Sequence, residues 1–238
     1  MNDGIDPIDG KRKSGPVPLK KLEEYQTFEE FYDGYKALLD YYLDLSVKAQ
    51  YHSYEVMNQH VSFLFTSLLT DDCIARGKAL LDGGVRYLGG TNETYGNINT
   101  SDSLWVIRDL VFNQKKYTLR QLNDAMLANF NGYEALRKDC LNCDKYGNDL
   151  ETADTMANYL YEFVAKGVRD RGIAIGMQYF LIVISNNQLN TEWGNRTAAS
   201  PDGRLSYMYM NPANNPQGGA NKSGPTAMLN SLAKFDAK

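Results

Sequence analysis

Apolar and polar positions alternate along this chain mostly with a helical period. Phe28, Phe31, Tyr35, Leu38, Tyr42 and Leu45 recur at steps of three and four, which puts one apolar stripe on a helix. Thr27-Phe28-Glu29-Glu30 at its start has capping-box form, with the Thr oxygen accepting from a first-turn amide and Glu30 reaching back. No Gly or Pro falls between Gly34 and Gly77, so the helix can run long, with Ser62-Phe63-Leu64-Phe65 as the place of interruption. A second helix is expected over 70–81, where Thr70, Asp71 and Asp72 would sit at the positive end of the helix dipole. Further helices are expected over 102–112, 118–130, 133–142 and 150–169, the second of these opened by the box Thr118-Leu119-Arg120-Gln121.

The period changes in two places. Residues 83–96 hold five glycines and cannot be regular helix, and Val85-Arg86-Tyr87 reads there as a short strand entering a turn-rich loop. Residues 177–184 are β-branched and aromatic and too few for a helix. Their near-continuous apolarity, broken only by Gln178, predicts a strand covered on both faces, as in a sheet wrapped by helices. Residues 190–224 are rich in Asn, Gly and Pro and read as a long irregular segment, which inside a compact domain points to function or disorder. Residues 1–21, with three Gly, three Pro and many charges, read as a lead-in arm to one domain over 22–238.

Composition narrows the classes of function. A net charge of −4 offers no attraction to nucleic acid or an anionic membrane, and Lys11-Arg12-Lys13 is a solvated run in a Gly/Pro-rich stretch. No apolar run is long enough to span a bilayer, and the first residues lack a signal pattern, so the expected location is the cytoplasm. Cys73, Cys140 and Cys143 are odd in number and lack framework spacing, so a disulfide-stapled scaffold is not expected. Cys140-Leu141-Asn142-Cys143 lacks two further zinc ligands and the strand-then-helix setting of a redox pair, which leaves two incidental thiols. His52 and His60 are two helical turns apart with nothing nearby to complete a triad or metal set. Gly218-Gly219-Ala220-Asn221-Lys222-Ser223 lacks the spacing and the leading strand of a phosphate loop. No metal site is expected.

Five short Gly-anchored motifs remain. Ser101-Asp102-Ser103 reads as a helix cap with an acidic first turn, and Asn148 or Asp149, after Lys145-Tyr146-Gly147, as the cap of the helix near Leu150. Ser200-Pro201-Asp202-Gly203-Arg204 contains plain turn chemistry, with Pro presetting φ, Asp closing an Asx turn and Gly taking positive φ. Turn chemistry alone does not account for Arg204 or for the long Asn-rich loop around it.

Taken in order, Gly83-Gly84-Val85-Arg86-Tyr87, Thr100–Leu104, Lys145–Asp149, Ser200–Arg204, and Gly224-Pro225-Thr226-Ala227 with Asn230–Lys234 resemble the glycyl radical enzymes of the pyruvate formate-lyase type. The resemblance covers nearly the whole chain, and it departs from the family pattern at Asp144 and over Leu205–Met210. It implies an α/β fold, a partial (half) barrel of parallel strands wrapped by helices, mostly helical with few strands. By the same resemblance Ala199 and Ser200 would line a substrate cavity, while Pro201, Asp202, Gly203 and Arg204 hold the turn beside it. The family cleaves C–C, C–O or C–N bonds of a small substrate with a thiyl radical, made from a glycyl radical that a radical S-adenosylmethionine activase installs. None of this chain's cysteines lies in a Gly-Cys-x-Glu loop, and no glycine lies in an Arg-Val-x-Gly-Tyr segment. The resemblance therefore implies an internal piece without a catalytic residue or bound cofactor of its own, completed by missing segments in cis or in trans. Acyl transfer as in a formate acetyltransferase, dehydration and decarboxylation all stay open. A second reading is a non-catalytic remnant serving as an interaction or structural module.

Overall fold

The computed structural model describes residues 2–177, 179–181 and 187–235. In chain order these form α1 (Phe28–His60), α2 (Leu64–Leu69), α3 (Cys73–Arg76), β1 (Gly89–Thr91), α4 (Asn97–Val106), α5 (Leu119–Leu127), α6 (Glu134–Asn142), α7 (Glu151–Ala174), β2 (Tyr179–Leu181), α8 (Asn187–Gly194) and α9 (Gly224–Ala233). The described chain is mostly helical with two short strands, and none of its helices is long and apolar enough to cross a membrane. It divides into two compact units, Met1–Leu38 with Thr94–Glu162 and Ile184–Lys238, and Leu39–Glu93 with Phe163–Val183, so the boundaries fall inside α1 and α7.

The first unit is built on a helical core. Phe28 and Phe31 of α1, Leu104 of α4, Leu122 of α5, Leu136 of α6 and Met156 of α7 are buried in one apolar cluster. α5 opens as its sequence predicts: Thr118 Oγ1 accepts from the Gln121 amide at 3.1 Å while Gln121 Oε1 accepts from the Thr118 amide at 2.9 Å. α1 opens slightly differently. Thr27 Oγ1 accepts from the Glu30 amide at 3.2 Å, but the Glu30 carboxylate takes the Gln26 amide, one residue before the box position. α4 starts earlier than expected, at Asn97, and after Val106 the chain widens into a π-helical stretch over Ile107–Asn113.

The second unit corrects several expectations. The stripe that buries Phe28 and Phe31 does not continue: Tyr42 and Leu45 are exposed, and Leu43 and Val47 are buried instead. Here α1 faces the end of α7, where Leu43 meets Gly167 so closely that a Cβ there would lie 2.9 Å from Leu43 Cδ1, and Arg171 pairs with Asp40 at 2.6 Å. A change of packing partner thus rotates the buried face. The interruption after His60 is where the sequence puts it, with Ser62 and Phe63 at φ 58 and 44. The helix expected over 70–81 is broken into pieces, because Asp72 at φ 71 precedes α3 and Gly77 at φ 62 ends it. Asp72 stays at the start of α3, and its carboxylate takes Arg86 through Nε at 2.9 Å and an Nη nitrogen at 3.2 Å. Val85–Tyr87 is no strand, since Arg76 donates to the Gly83 and Val85 carbonyls that a ladder would need. The strand lies two residues beyond Tyr87, where β1 pairs in parallel with β2 in the register Gly89↔Tyr179, Gly90↔Phe180, Thr91↔Leu181. The rest of the strand expected over 177–184 lies largely outside the described residues. The irregular segment expected from 190 begins after α8.

Removing the α5 cap is the cleanest local test of this account. Thr118→Ala is expected to cost about 1 kcal/mol in urea unfolding, because one first-turn amide loses its acceptor. An unchanged midpoint would contradict the cap.

Candidate functional site

The Ser200–Arg204 segment folds as a closed turn in the first unit. The Gly203 amide donates to the Ser200 carbonyl at 3.0 Å and the Ser200 amide to the Arg204 carbonyl at 3.0 Å. Asp202 Oδ1 accepts from Ser200 Oγ at 2.6 Å and from the Arg204 amide at 3.2 Å. Gly203 has φ 95, and a Cβ there would lie 2.7 Å from a Leu141 side-chain carbon, so both conformation and space require glycine. Arg204 is buried with its guanidinium spent inside the loop, on Ser200 Oγ and on the carbonyls of Ala198, Leu205 and Met208. Burial lowers its pKa from the ordinary arginine value, and Asp202 opposes that shift.

Side chains from the other motifs hold this turn in place. Asn99 of α4 donates from Nδ2 to Asp202 Oδ2 at 2.6 Å and to Gln217 Oε1 at 3.1 Å. Its Oδ1 accepts from the Asn211 amide at 2.8 Å, while Asn211 Oδ1 accepts from the Ile98 and Asn99 amides at 3.2 and 3.1 Å. Ser103 Oγ accepts from the Asp202 amide at 3.2 Å. Ser101, Asp102 and Ser103 therefore cap nothing; they lie inside α4, whose start is turned by Gly96 at φ 72. Asp102 is 1% exposed, with Oδ1 accepting from the Tyr146 amide at 2.9 Å and Oδ2 buried without a partner. Burial raises its pKa to about 8; Lys145 and the Tyr146 amide pull it down, while Asp202 and Asp154 push it further up.

Lys145–Asp149 also departs from the capping role. The Lys145 amine donates to the Cys140 and Cys143 carbonyls at the end of α6. Burial pushes the two thiols beside it up to about 12 and about 11, which keeps both protonated and unreactive. Gly147, at φ 90, lets the chain pass Pro216, whose ring carbon would lie 2.8 Å from a Cβ. Asn148 is a cross-link: Nδ2 donates to the Lys145 and Ala220 carbonyls, and Oδ1 accepts from the Lys222 and Ser223 amides. Asp149 accepts from Asn230 and pairs with Lys234, and its amide donates to Ser231 Oγ at 3.0 Å. Ser231 and Lys234 both reach Asp154 Oδ2, at 3.0 and 2.8 Å. Four of the five motifs thus join one polar network, buried at Asp102, Asp154 and Asp202 and exposed at Asp149. Gly83–Tyr87 belongs to the second unit and takes no part in it.

Beside the turn lies a cavity of about 500 Å³. Ala199, Ser200, Pro201 and Arg204 are on its wall, whereas Asp202 and Gly203 are not among its lining residues. Phe31 and Tyr35 of α1, Asn99 and Ser103 of α4, and Asn123 and Met126 of α5 form further parts of the wall. Two features escape sequence reasoning. Residues 2–13, read as an arm, contribute Asn2, Gly4, Ile5, Asp6, Pro7 and Lys13 to the lining, with the Asn2 amide donating to Asn123 Oδ1 at 2.9 Å. Their only sequence signal is the turn-rich Asn2-Asp3-Gly4, which curls through φ 45, 52 and 78. Asn99 and Asn123 carry no signal, since a polar residue inside a helix is ordinarily solvated. Among the described residues no three His, Cys, Asp or Glu side chains gather as a metal site.

Residues 1–189 match the family model for pyruvate formate lyase-like proteins. The chain belongs to this family of glycyl radical enzymes. It is 31% identical over 237 residues to a trans-4-hydroxy-L-proline dehydratase of Clostridioides difficile, a match that covers 99% of this chain and 30% of that protein. A probable dehydratase of Escherichia coli K12 is 30% identical over 245 residues, again over 99% of this chain and 30% of the relative. The glycerol-bound B12-independent glycerol dehydratase of Clostridium butyricum superposes with a TM-score of 0.89 at 28% identity, over 99% of this chain and 29% of that one. The chain thus spans about 30% of the length of the relatives it matches.

The Asp102 carboxyl gives a pH signature. Its folded-state pKa is raised, so the folded protein keeps a proton that the unfolded chain releases in the ordinary carboxylate range. Its contribution to stability is full below that range, is lost as pH rises to about 8, and is flat above. Asp102→Asn keeps the acceptor for Tyr146 and removes the titration. The variant is expected to lose less stability than the parent between pH 5 and pH 8.5 in urea unfolding; equal losses would refute the assignment.

Proposed function

We propose that this chain supplies one wall of the substrate cavity of a glycyl radical enzyme that removes a hydroxyl group from a small organic substrate as water. The observation that carries this reading is the pairing of a rigid, motif-built turn with a cavity of about 500 Å³, in a chain that superposes on a dehydratase with a TM-score of 0.89. The relatives described above by sequence are a trans-4-hydroxy-L-proline dehydratase and a probable dehydratase, which favours C–O cleavage over the acyl transfer of a formate acetyltransferase. In this reading the chain forms part of a half-barrel of parallel strands, of which β1 and β2 are one pair. Ala199 and Ser200 face the substrate, and Asp202 and Arg204 hold the turn that presents them. No residue of this chain carries the radical. A cysteine loop and a glycyl radical segment come from further polypeptide, joined in cis or in trans, and the glycyl radical is installed by a radical S-adenosylmethionine activase.

Exposed apolar surface favours this over a self-sufficient structural module. Phe65 and Leu69 of α2 are 75% and 72% exposed and Ile74 of α3 is 70% exposed, a concentration that soluble monomers rarely leave uncovered.

The test is anaerobic assembly of the chain with polypeptide bearing the two radical elements, treated with an activase and assayed by EPR and product formation. A glycyl radical doublet is expected, with dehydration of glycerol, 1,2-propanediol or trans-4-hydroxy-L-proline that depends on this chain. Absence of a doublet in a folded assembly would overturn the proposal.

A further inference from the structure

The polar groups around the cavity carry information about its occupant, because a charged ligand needs a partner that is not already spent. Three cations line the cavity, and each already has a partner, inside the fold for Arg204 and at the solvent-exposed rim for Arg196 and Lys13. Arg204 uses its guanidinium on one hydroxyl and three carbonyls of its own loop. Arg196 pairs with Glu192 at 2.7 Å, and Lys13 with Asp9 at 2.9 Å. Freeing Arg204 for a carboxylate would take the donors from four part-buried acceptors while the guanidinium itself stays buried.

The neutral polar side chains are largely spent as well. Asn99 is shared among Asp202, Gln217 and Asn211, Ser103 Oγ donates to the Asn99 carbonyl, and Thr100 Oγ1 donates to the Gly96 carbonyl. Asn123 is the exception. Its Oδ1 is taken by the Asn2 amide, but its Nδ2 is buried with no partner, and that atom is an uncharged donor. Between these groups the wall is apolar, with Phe31, Leu38, Leu104, Ile107, Met126 and Met210.

We infer that this wall receives the uncharged part of a ligand, an apolar body bearing at most a neutral acceptor such as a hydroxyl, carbonyl or amide oxygen, and that it discriminates against carboxylates and sulfonates. The inference rests on the reading of the cavity as a substrate site and narrows it to neutral chemistry at this end of the substrate. Water leaving an apolar wall favours such a body, while an anion would give up its hydration without gaining an unpaired cation.

Benzamide and benzoate share shape and size and differ in charge, which makes them suitable probes. Binding of each to the chain is followed by ligand-observed NMR at pH 7, with near-UV circular dichroism as the check on folding. Benzamide is expected to bind at least tenfold more tightly than benzoate. Leu127→Trp, which fills the cavity from a half-exposed position, is expected to weaken benzamide at least tenfold, and Ala199→Trp to do the same from the turn. Benzoate binding as tightly as benzamide, with both sensitive to Leu127→Trp, would overturn the neutral preference and leave the cavity reading standing. Benzamide binding that ignores both variants, or no binding of either probe to the folded chain, would overturn the cavity reading and this inference with it.

Discussion

Asn99 sits within α4 at 5% exposure, and three residues of one distant loop meet at its side chain and amide. Its Nδ2 holds Asp202 and Gln217, and its Oδ1 and its amide exchange bonds with Asn211. Buried amide and carboxyl groups are costly unless paired, so once α4 packs into the core the loop containing Asp202 and Asn211 has little freedom to choose another conformation. The same constraint repeats at Asp102 with Tyr146 and at Asp154 with Ser231 and Lys234. Irregular backbone in the first unit is therefore ordered by side-chain bonds to helices, which do for these loops what a ladder does for a strand.

This arrangement fits the demands of a cavity wall. A loop can present small side chains such as Ala199 and Ser200 at an angle that no helix or strand offers, but a mobile loop would blur the shape. Here the turn is closed by its own Asp202, roofed by Arg137 through the Gly203 carbonyl at 2.9 Å, and anchored to α4 through two side chains. Arg204 spends its charge on loop carbonyls, and this ties the electrostatics of the wall to its architecture: the group that stiffens the turn is thereby withheld from the ligand.

Much of the first unit was legible in the sequence because its signals are local. The Thr118 box, the extent of α6 and the turn at Pro201-Asp202-Gly203 depend on neighbours within a few residues, and there local chemistry and structure agree, whereas α5 stops at Leu127, short of the expected 130, as Asn129 and Phe130 turn to positive φ. Where sequence reading failed, a distant residue outcompeted the local role. Asn148 was drawn to Lys222 and Ser223 and so caps no helix. The buried face of α1 rotates past Leu38 because its neighbour changes, which no periodicity within α1 records. The motifs were visible as a family resemblance, yet their physical meaning, a shared polar network, required the fold that brings residues 99, 148, 202 and 231 together.

The most direct test of that network is native-state hydrogen exchange on four amides outside the helices, those of Tyr146, Asp149, Asp202 and Asn211. Each donates to a side chain, respectively Asp102, Ser231, Ser103 and Asn99. If the network orders these loops, the four amides exchange as slowly as those in the middle of α4, through the same unfolding reaction. Exchange at the rate of open loops, with α4 still protected, would show that the turn beside the cavity is held by something else.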